Sequence, residues 1–195
     1  MYDVEQLKKS WERFCQLTKK IDDPCIDKMI EALGERMLMC PNASRDADPG
    51  CYPGGLVQVC LETALHMRQL EESFGGELDS RAVLKVALLH DLGKIGSLQD
   101  SYFVEQESDW HKEKLGQYYK FNEKIQKMSP SHRTLCLLQH FGVKLNEEEW
   151  LAIQLSNGSH FEENRFYVGS EPTLALVLQT ARRLVYHNHT RRNTP

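Results

Sequence analysis

A chain of 195 residues with 41% hydrophobic and 27% charged side chains has the make-up of one soluble globular domain, long enough to bury a core. Its formal net charge of −4 carries no strong nucleic-acid signal, the pairs Arg182-Arg183 and Arg191-Arg192 being the local exception. No apolar run reaches bilayer length, and Met1-Tyr2-Asp3 lacks the basic-then-apolar layout of a signal peptide, so no membrane partner and a cytoplasmic location are expected.

In chain order, Val4, Leu7, Trp11, Phe14, Leu17 and Ile21 recur three and four apart, an amphipathic helix with its lysines outward. Asp22-Asp23-Pro24 breaks it, and Pro24 suits the first turn of a second helix reaching Met39. Residues 41–53 carry Asn, Ser, Asp, Gly and Pro without periodicity, which predicts a loop. Gly54-Gly55 open a third helix with Leu56, Val59, Cys60, Thr63 and Met67 on its inner face. After a turn at Gly75-Gly76, Asp79 or Ser80 caps a central helix whose run from Val83 to Leu89 is apolar on most sides, which predicts burial.

Residues 96–110 read as a polar connection, followed by weaker helical signals over 112–119 and 130–140. Asn146 followed by Glu147-Glu148-Glu149 is a cap with an acidic first turn. Residues 157–169 read as an irregular loop or short hairpin, and Leu174, Leu178, Ala181 and Val185 set the face of a last helix from Glu171 to Tyr186. There is no internal repeat and no linker. The fold class is therefore all-α, one helical bundle over 1–195, with N-terminal helices over 1–40, the core over 41–188 and a flexible tail over 189–195.

The cysteines Cys15, Cys25, Cys40, Cys51, Cys60 and Cys136 form no C-x-x-C pair and several fall on apolar helix faces, which suits a reduced interior. Only Cys40 and Cys51, flanking the loop, are placed to meet.

Chemistry concentrates in Leu88-Leu89-His90-Asp91-Leu92-Gly93-Lys94. An imidazole and a carboxylate, adjacent at the end of an apolar helix, are suited to hold a divalent metal over a phosphate ester. Gly93-Lys94 is expected to end that helix and leave a cation beside the site. The bland reading makes His90 and Asp91 a hydrogen-bonded core pair and leaves Lys94 in solvent or on the helix dipole. Asp46 and Asp48 have ligand-like spacing but sit in turn-forming sequence.

Tyr52-Pro53-Gly54-Gly55-Leu56, then Ala87 to Lys94, then a final apolar helix, resemble the HD superfamily of metal-dependent phosphohydrolases. Trp110-His111-Lys112-Glu113-Lys114-Leu115-Gly116, Leu137-Leu138-Gln139-His140-Phe141-Gly142-Val143 and Glu148-Glu149-Trp150-Leu151-Ala152-Ile153 resemble a branch of HD proteins from bacteria and their phages. The resemblance implies an HD-like bundle over 41–188 with a metal at its centre, either a transition ion (Mn, Fe, Co, Ni) or Mg. It implies ligands from the helix after G-G-L, from His90 and Asp91, and from an aspartate on the last helix. The implied reaction is hydrolysis of a phosphomonoester or phosphodiester, often of a nucleotide, with Asp91 the catalytic residue if the chain is active.

Residue by residue, the pattern is broken. The histidine of G-G-L-x-x-H falls on Val59 and the aspartate of A-D-x-L falls on Arg182, while the His-Asp-Gly-like turn that the phage-like branch implies after Glu148 to Ile153 reads Ser156-Asn157-Gly158. His66 lies two turns beyond Val59, about 10 Å along the helix axis, too far to replace it. His111 and His140 match the related branch, whereas His132 and His160 have no supporting pattern, and His187 and His189 sit beyond Arg182 near a polar tail where fraying is expected.

Arg182 carries a permanent charge that would repel a divalent cation, so it is expected to pair with Asp91 in the metal's place, with Val59 filling space. The leading reading is a pseudo-enzyme that has no cofactor and binds a phosphorylated or nucleotide-like ligand through Lys94, His111, His140 and Arg182, or a protein partner. The alternative is an active metal-dependent phosphohydrolase, a nucleotidase or phosphodiesterase with a rebuilt site. A di-iron oxygenase of the same fold would need more ligands still.

Overall fold

The protein is described by a computed structural model covering residues 4–73, 75–158 and 161–193. It is predominantly helical, as the periodicity predicts. Helix α1 spans Val4–Thr18 and continues as a 3-10 turn, Lys19–Ile21. Helix α2, Pro24–Met39, starts with Pro24 in its first turn and the Asp23 carboxylate accepting from the Cys25 N–H.

After the loop, α3 spans Gly55–Ser73 and packs most extensively against α8, Thr173–Asn193, and α4, Ser80–Leu89. Gly55 has to be glycine: a Cβ there would lie 2.0 Å from the Gly50 carbonyl oxygen. The loop thereby folds back onto the start of α3. Asp79 caps α4 through the N–H groups of Arg81 and Ala82, leaving Val86, Ala87, Leu88 and Leu89 fully buried at the centre of the bundle.

Three stretches depart from the sequence reading. Residues 96–121 hold a small antiparallel hairpin, β1 (Phe103–Glu105) against β2 (Tyr119–Phe121), with Phe103 opposite Phe121 and Glu105 opposite Tyr119. The short helix α5, Asp109–Leu115, lies between these strands, capped by Ser108 and ended by left-handed Gly116. Three-residue strands joined through a helix are too short to show alternation, so nothing local announces them. Residues 162–167 form a 3-10 turn where a loop or hairpin was expected. Helix α8 continues past Tyr186 to Asn193.

Helices α6, Pro130–Phe141, and α7, Glu147–Gln154, complete the bundle. Ser129 caps α6, and Asn146 with Glu149 forms a reciprocal capping box on α7. All six cysteines are free, so Cys40 and Cys51 do not bridge.

Candidate functional site

Helix α4 ends at Leu89, not at Gly93-Lys94 as the sequence suggested. His90 is its C-cap, and a 3-10 turn follows over Leu92–Ile95. This tight turn brings Asp91 and Lys94 onto one side, and α6 holds it in place. The Gly93 N–H donates to Thr134 Oγ1 at 2.7 Å, and the Thr134 hydroxyl faces the carbonyl oxygens of Pro130 at 2.9 Å and His90 at 3.1 Å. A Cβ on Gly93 would lie 2.0 Å from the Pro130 carbonyl oxygen and 2.9 Å from the Thr134 nitrogen. The glycine of the motif is thus a packing requirement for α6, independent of any chemistry.

His90 and Asp91 are completely buried. His90 Nδ1 lies 2.9 Å from the Ala87 carbonyl oxygen, which can only accept, so the neutral ring carries its proton on Nδ1. Burial pushes the imidazole down to about 4, with Arg182 and Lys94 adding to the effect against the opposing pull of Asp91. His90 Nε2 stands 3.7 Å from Asp91 Oδ2, beyond hydrogen-bonding distance. The hydrogen-bonded His–Asp core pair of the bland reading is not formed.

Asp91 has different partners. Its Oδ2 accepts from Lys94 Nζ at 2.8 Å and from Arg182 Nη2 at 3.0 Å. Burial alone would raise this carboxyl, but Arg182 and Lys94 together hold it well below the usual carboxylate range. Burial alone would lower both cations, but Asp91 and Tyr186 together hold them above their ordinary values. Lys94 Nζ also donates to Asn42 Oδ1 at 2.7 Å, and Arg182 Nη1 donates to the Ser156 carbonyl oxygen and to Asn157 Oδ1. Five segments converge on one carboxylate: the loop at Asn42, the end of α4, the 3-10 turn, the end of α7 and α8.

The expected contact of Arg182 with Asp91 is therefore present. Lys94, read from sequence as a phosphate-binding candidate or as exposed, is buried and is an ion-pair partner of the same oxygen. The signal was available: Asp91 and Lys94 stand three apart, a helical-turn spacing for opposite charges. Asn42 could not be singled out locally, and Ser156 and Asn157 stood out only as a departure from the family resemblance, since what matters is where two loops end in space. Val59 is buried at 2% exposure.

The other candidates lie away from this cluster. His140 is exposed on α6, edge-on to Phe141, while Leu135, Leu137 and Leu138 are the buried side of that helix. His111 is half-buried on α5 with Nδ1 2.8 Å from the Ser108 hydroxyl, a local cap contact. His66 contacts Gln69, His132 contacts Ser129, and His189 Nε2 lies 3.2 Å from the Asp46 carbonyl oxygen, while His187 is exposed. His160 lies outside the described residues. Among the described residues no group of three or more His, Cys, Asp or Glu side chains is arranged to hold a metal ion.

A helical bundle with an adjacent histidine and aspartate buried at the end of its central helix defines the class of HD-fold proteins, whose members generally bind divalent metals. The family model described as HD domain matches residues 58–193, and the chain belongs to that family. No curated protein and no solved structure matches it. The family is metal-dependent phosphohydrolase-like in character. No helix among the described residues is long and apolar enough to cross a membrane.

Proposed function

We propose that this HD-domain protein has exchanged a catalytic metal for a fixed salt-bridge cluster and acts by binding, with no hydrolysis. The carrying observation is the double occupancy of Asp91 Oδ2 by Lys94 and Arg182. A divalent ion on the same carboxylate would meet two positive charges in a buried, weakly screened setting. The protein donors left to it are His90 Nε2 and Asp91 Oδ1, fewer than a metal site normally draws from its protein. The residues present do not fit a resident divalent ion.

Two cations against one carboxylate leave the cluster with an excess positive charge, and the Lys94 and Arg182 side chains are 9% and 10% exposed. That edge suits an anionic oxygen, so the ligand class is a phosphate ester or nucleotide, held without being cut. The absence of disulfides fits a reducing cytoplasm.

One observation favours the alternative, an active phosphohydrolase with a rebuilt site. Nε2 of His90 and Oδ1 of Asp91 are buried and have no hydrogen-bond partner among the described residues. With the proton fixed on Nδ1, His90 presents the lone pair a metal would use. The two readings separate by metal analysis of the purified protein, followed by nucleotide and generic phosphate-ester assays with added Mn²⁺, Co²⁺, Ni²⁺ or Fe²⁺. The binding reading expects substoichiometric metal, no turnover, and a rise in melting temperature with phosphate or nucleotides. Metal-dependent turnover abolished by His90→Ala would establish the enzyme instead.

A further inference from the structure

A cavity of about 700 Å³ lies apart from the Asp91 cluster. It is a half-open groove whose walls are α1, α3 and the first turns of α4. Helix α1 precedes the matched HD domain, so an element outside the family core completes the groove. Leu17, Leu61, Ala64, Leu65 and Leu84 supply its apolar lining, and Leu65 is 54% exposed. An exposed leucine in a groove of this kind costs solvation energy that a partner would recover.

The rim is cationic in a chain that is acidic as a whole. Five basic side chains line it against two carboxylates, those of Glu62 and Glu71. Both carboxylates are engaged within the fold, Glu62 by Gln58 Nε2 and Glu71 by the Leu78 N–H. Lys9 and Arg68 are paired along their own helices with Glu5 and Glu72. Arg13, Lys20 and Arg81 remain, exposed and without a side-chain ion pair or hydrogen bond among the described residues.

Along α1 and the 3-10 turn that continues it the lining runs from Gln6 to Lys20. At the helical rise this is about 20 Å, close to four turns. A lengthwise slot with an apolar floor and charged edges is the shape that receives one face of an amphipathic helix. We propose that the α1–α3–α4 groove docks an acidic amphipathic helix of a partner protein. Its apolar residues, three and four apart, seat on Leu61, Leu65 and Leu84, and its carboxylates meet Arg13, Lys20 and Arg81. This holds whether or not the Asp91 centre hydrolyses anything, because none of the groove's residues belongs to that centre.

The test is selection of a display library of fourteen-residue helical peptides on the full chain, followed by titration of the enriched peptides by fluorescence anisotropy. The expected peptides are net acidic with leucine-like residues at helical spacing. Their affinity should fall at least tenfold in Arg13→Glu/Arg81→Glu and in Leu65→Glu, and weaken with salt. These are exposed positions, and unchanged melting temperatures check that the variants fold. No enrichment, enrichment of basic peptides, or affinities unaffected by all three substitutions overturns the proposal. Saturable binding of dodecyl phosphate in the groove, with no peptide bound, overturns it in favour of a small anionic amphiphile.

Discussion

Arg182 and Asp91 are ninety-one positions apart, yet Arg182 Nη2 sits 3.0 Å from Asp91 Oδ2 and shares that oxygen with Lys94. The same guanidinium reaches Asn157 Oδ1 at 3.1 Å. The two positions at which the resemblance implied carboxylates, 157 in the phage-like branch and 182 on the last helix, thus touch each other. Their present side chains complement each other, a guanidinium donating to an amide oxygen.

Removing the anion of this cluster should be costly, because it strands two cations in the core. Asp91→Asn is expected to lower stability by about 3 kcal/mol, and Arg182→Met by less, because Asp91 keeps Lys94 as its partner. In a double-mutant cycle by urea unfolding, the pair should show a coupling of more than about 1 kcal/mol. Additive effects would mean that the contact contributes nothing to the fold.

Acid should destabilise the protein before ordinary carboxylates titrate. His90 is depressed from 6.5 to about 4 in the folded protein, so between those values the unfolded chain binds the extra proton. Stability is then complete above about pH 6.5 and falls as pH drops, by about 1.4 kcal/mol per pH unit for one such group. Asp91, also depressed, adds a further loss below the usual carboxylate range. Lys94, raised, contributes stability that is lost only above the ordinary lysine range. Melting temperature against pH should show this acid limb, and His90→Gln should flatten its upper part. A flat profile from pH 7 to 4.5 in the unsubstituted protein contradicts the buried neutral imidazole.

Gly93→Ala should fail on steric grounds alone. Its Cβ would meet backbone of α6, which cannot rotate away as a side chain could. We expect a loss of about 3 kcal/mol or no soluble protein, read by thermal unfolding. By contrast, His140→Ala changes an exposed side chain and should stay within about 0.5 kcal/mol, with no effect on phosphate binding.

Chelation should leave the melting temperature unchanged, since Lys94 and Arg182 hold the carboxylate where a metal otherwise would. Val59→His/Arg182→Asp restores two donors of the HD pattern and removes one repelling cation. This variant should bind Mn²⁺ or Fe²⁺ measurably by calorimetry, whereas the parent should not. Equal metal binding by both would show that the centre never lost its ion.

Much of the fold was legible from periodicity and caps. The stripe in α1, Pro24, Asp79 and Asn146 each act within one or two turns, so their signals are local. The hairpin of β1 and β2 was not legible, because its pairing joins residues on either side of α5. At the site, the exchange of an expected carboxylate for Arg182 pointed to Asp91 as its partner, since a buried guanidinium needs an anion. His140 misled because a matching local pattern does not say which face of α6 is buried; Leu135, Leu137 and Leu138 took that face.

The arginine opposed to a carboxylate came from the family resemblance; residue identity and spacing alone were enough for a predominantly helical chain with a histidine and an aspartate at the end of its central helix. That follows because helix formation, capping and charge are properties of neighbours in sequence. Folding in three dimensions decided that Lys94 turns inward beside Arg182 and that Asn42, Ser156 and Asn157 close the cluster. It also decided that His111 and His140 stay outside. Those outcomes depend on how separate segments meet around one charged cluster, with Lys94 and Arg182 on Asp91 and the loop residues on those two cations, and such convergence has no signature within any single segment.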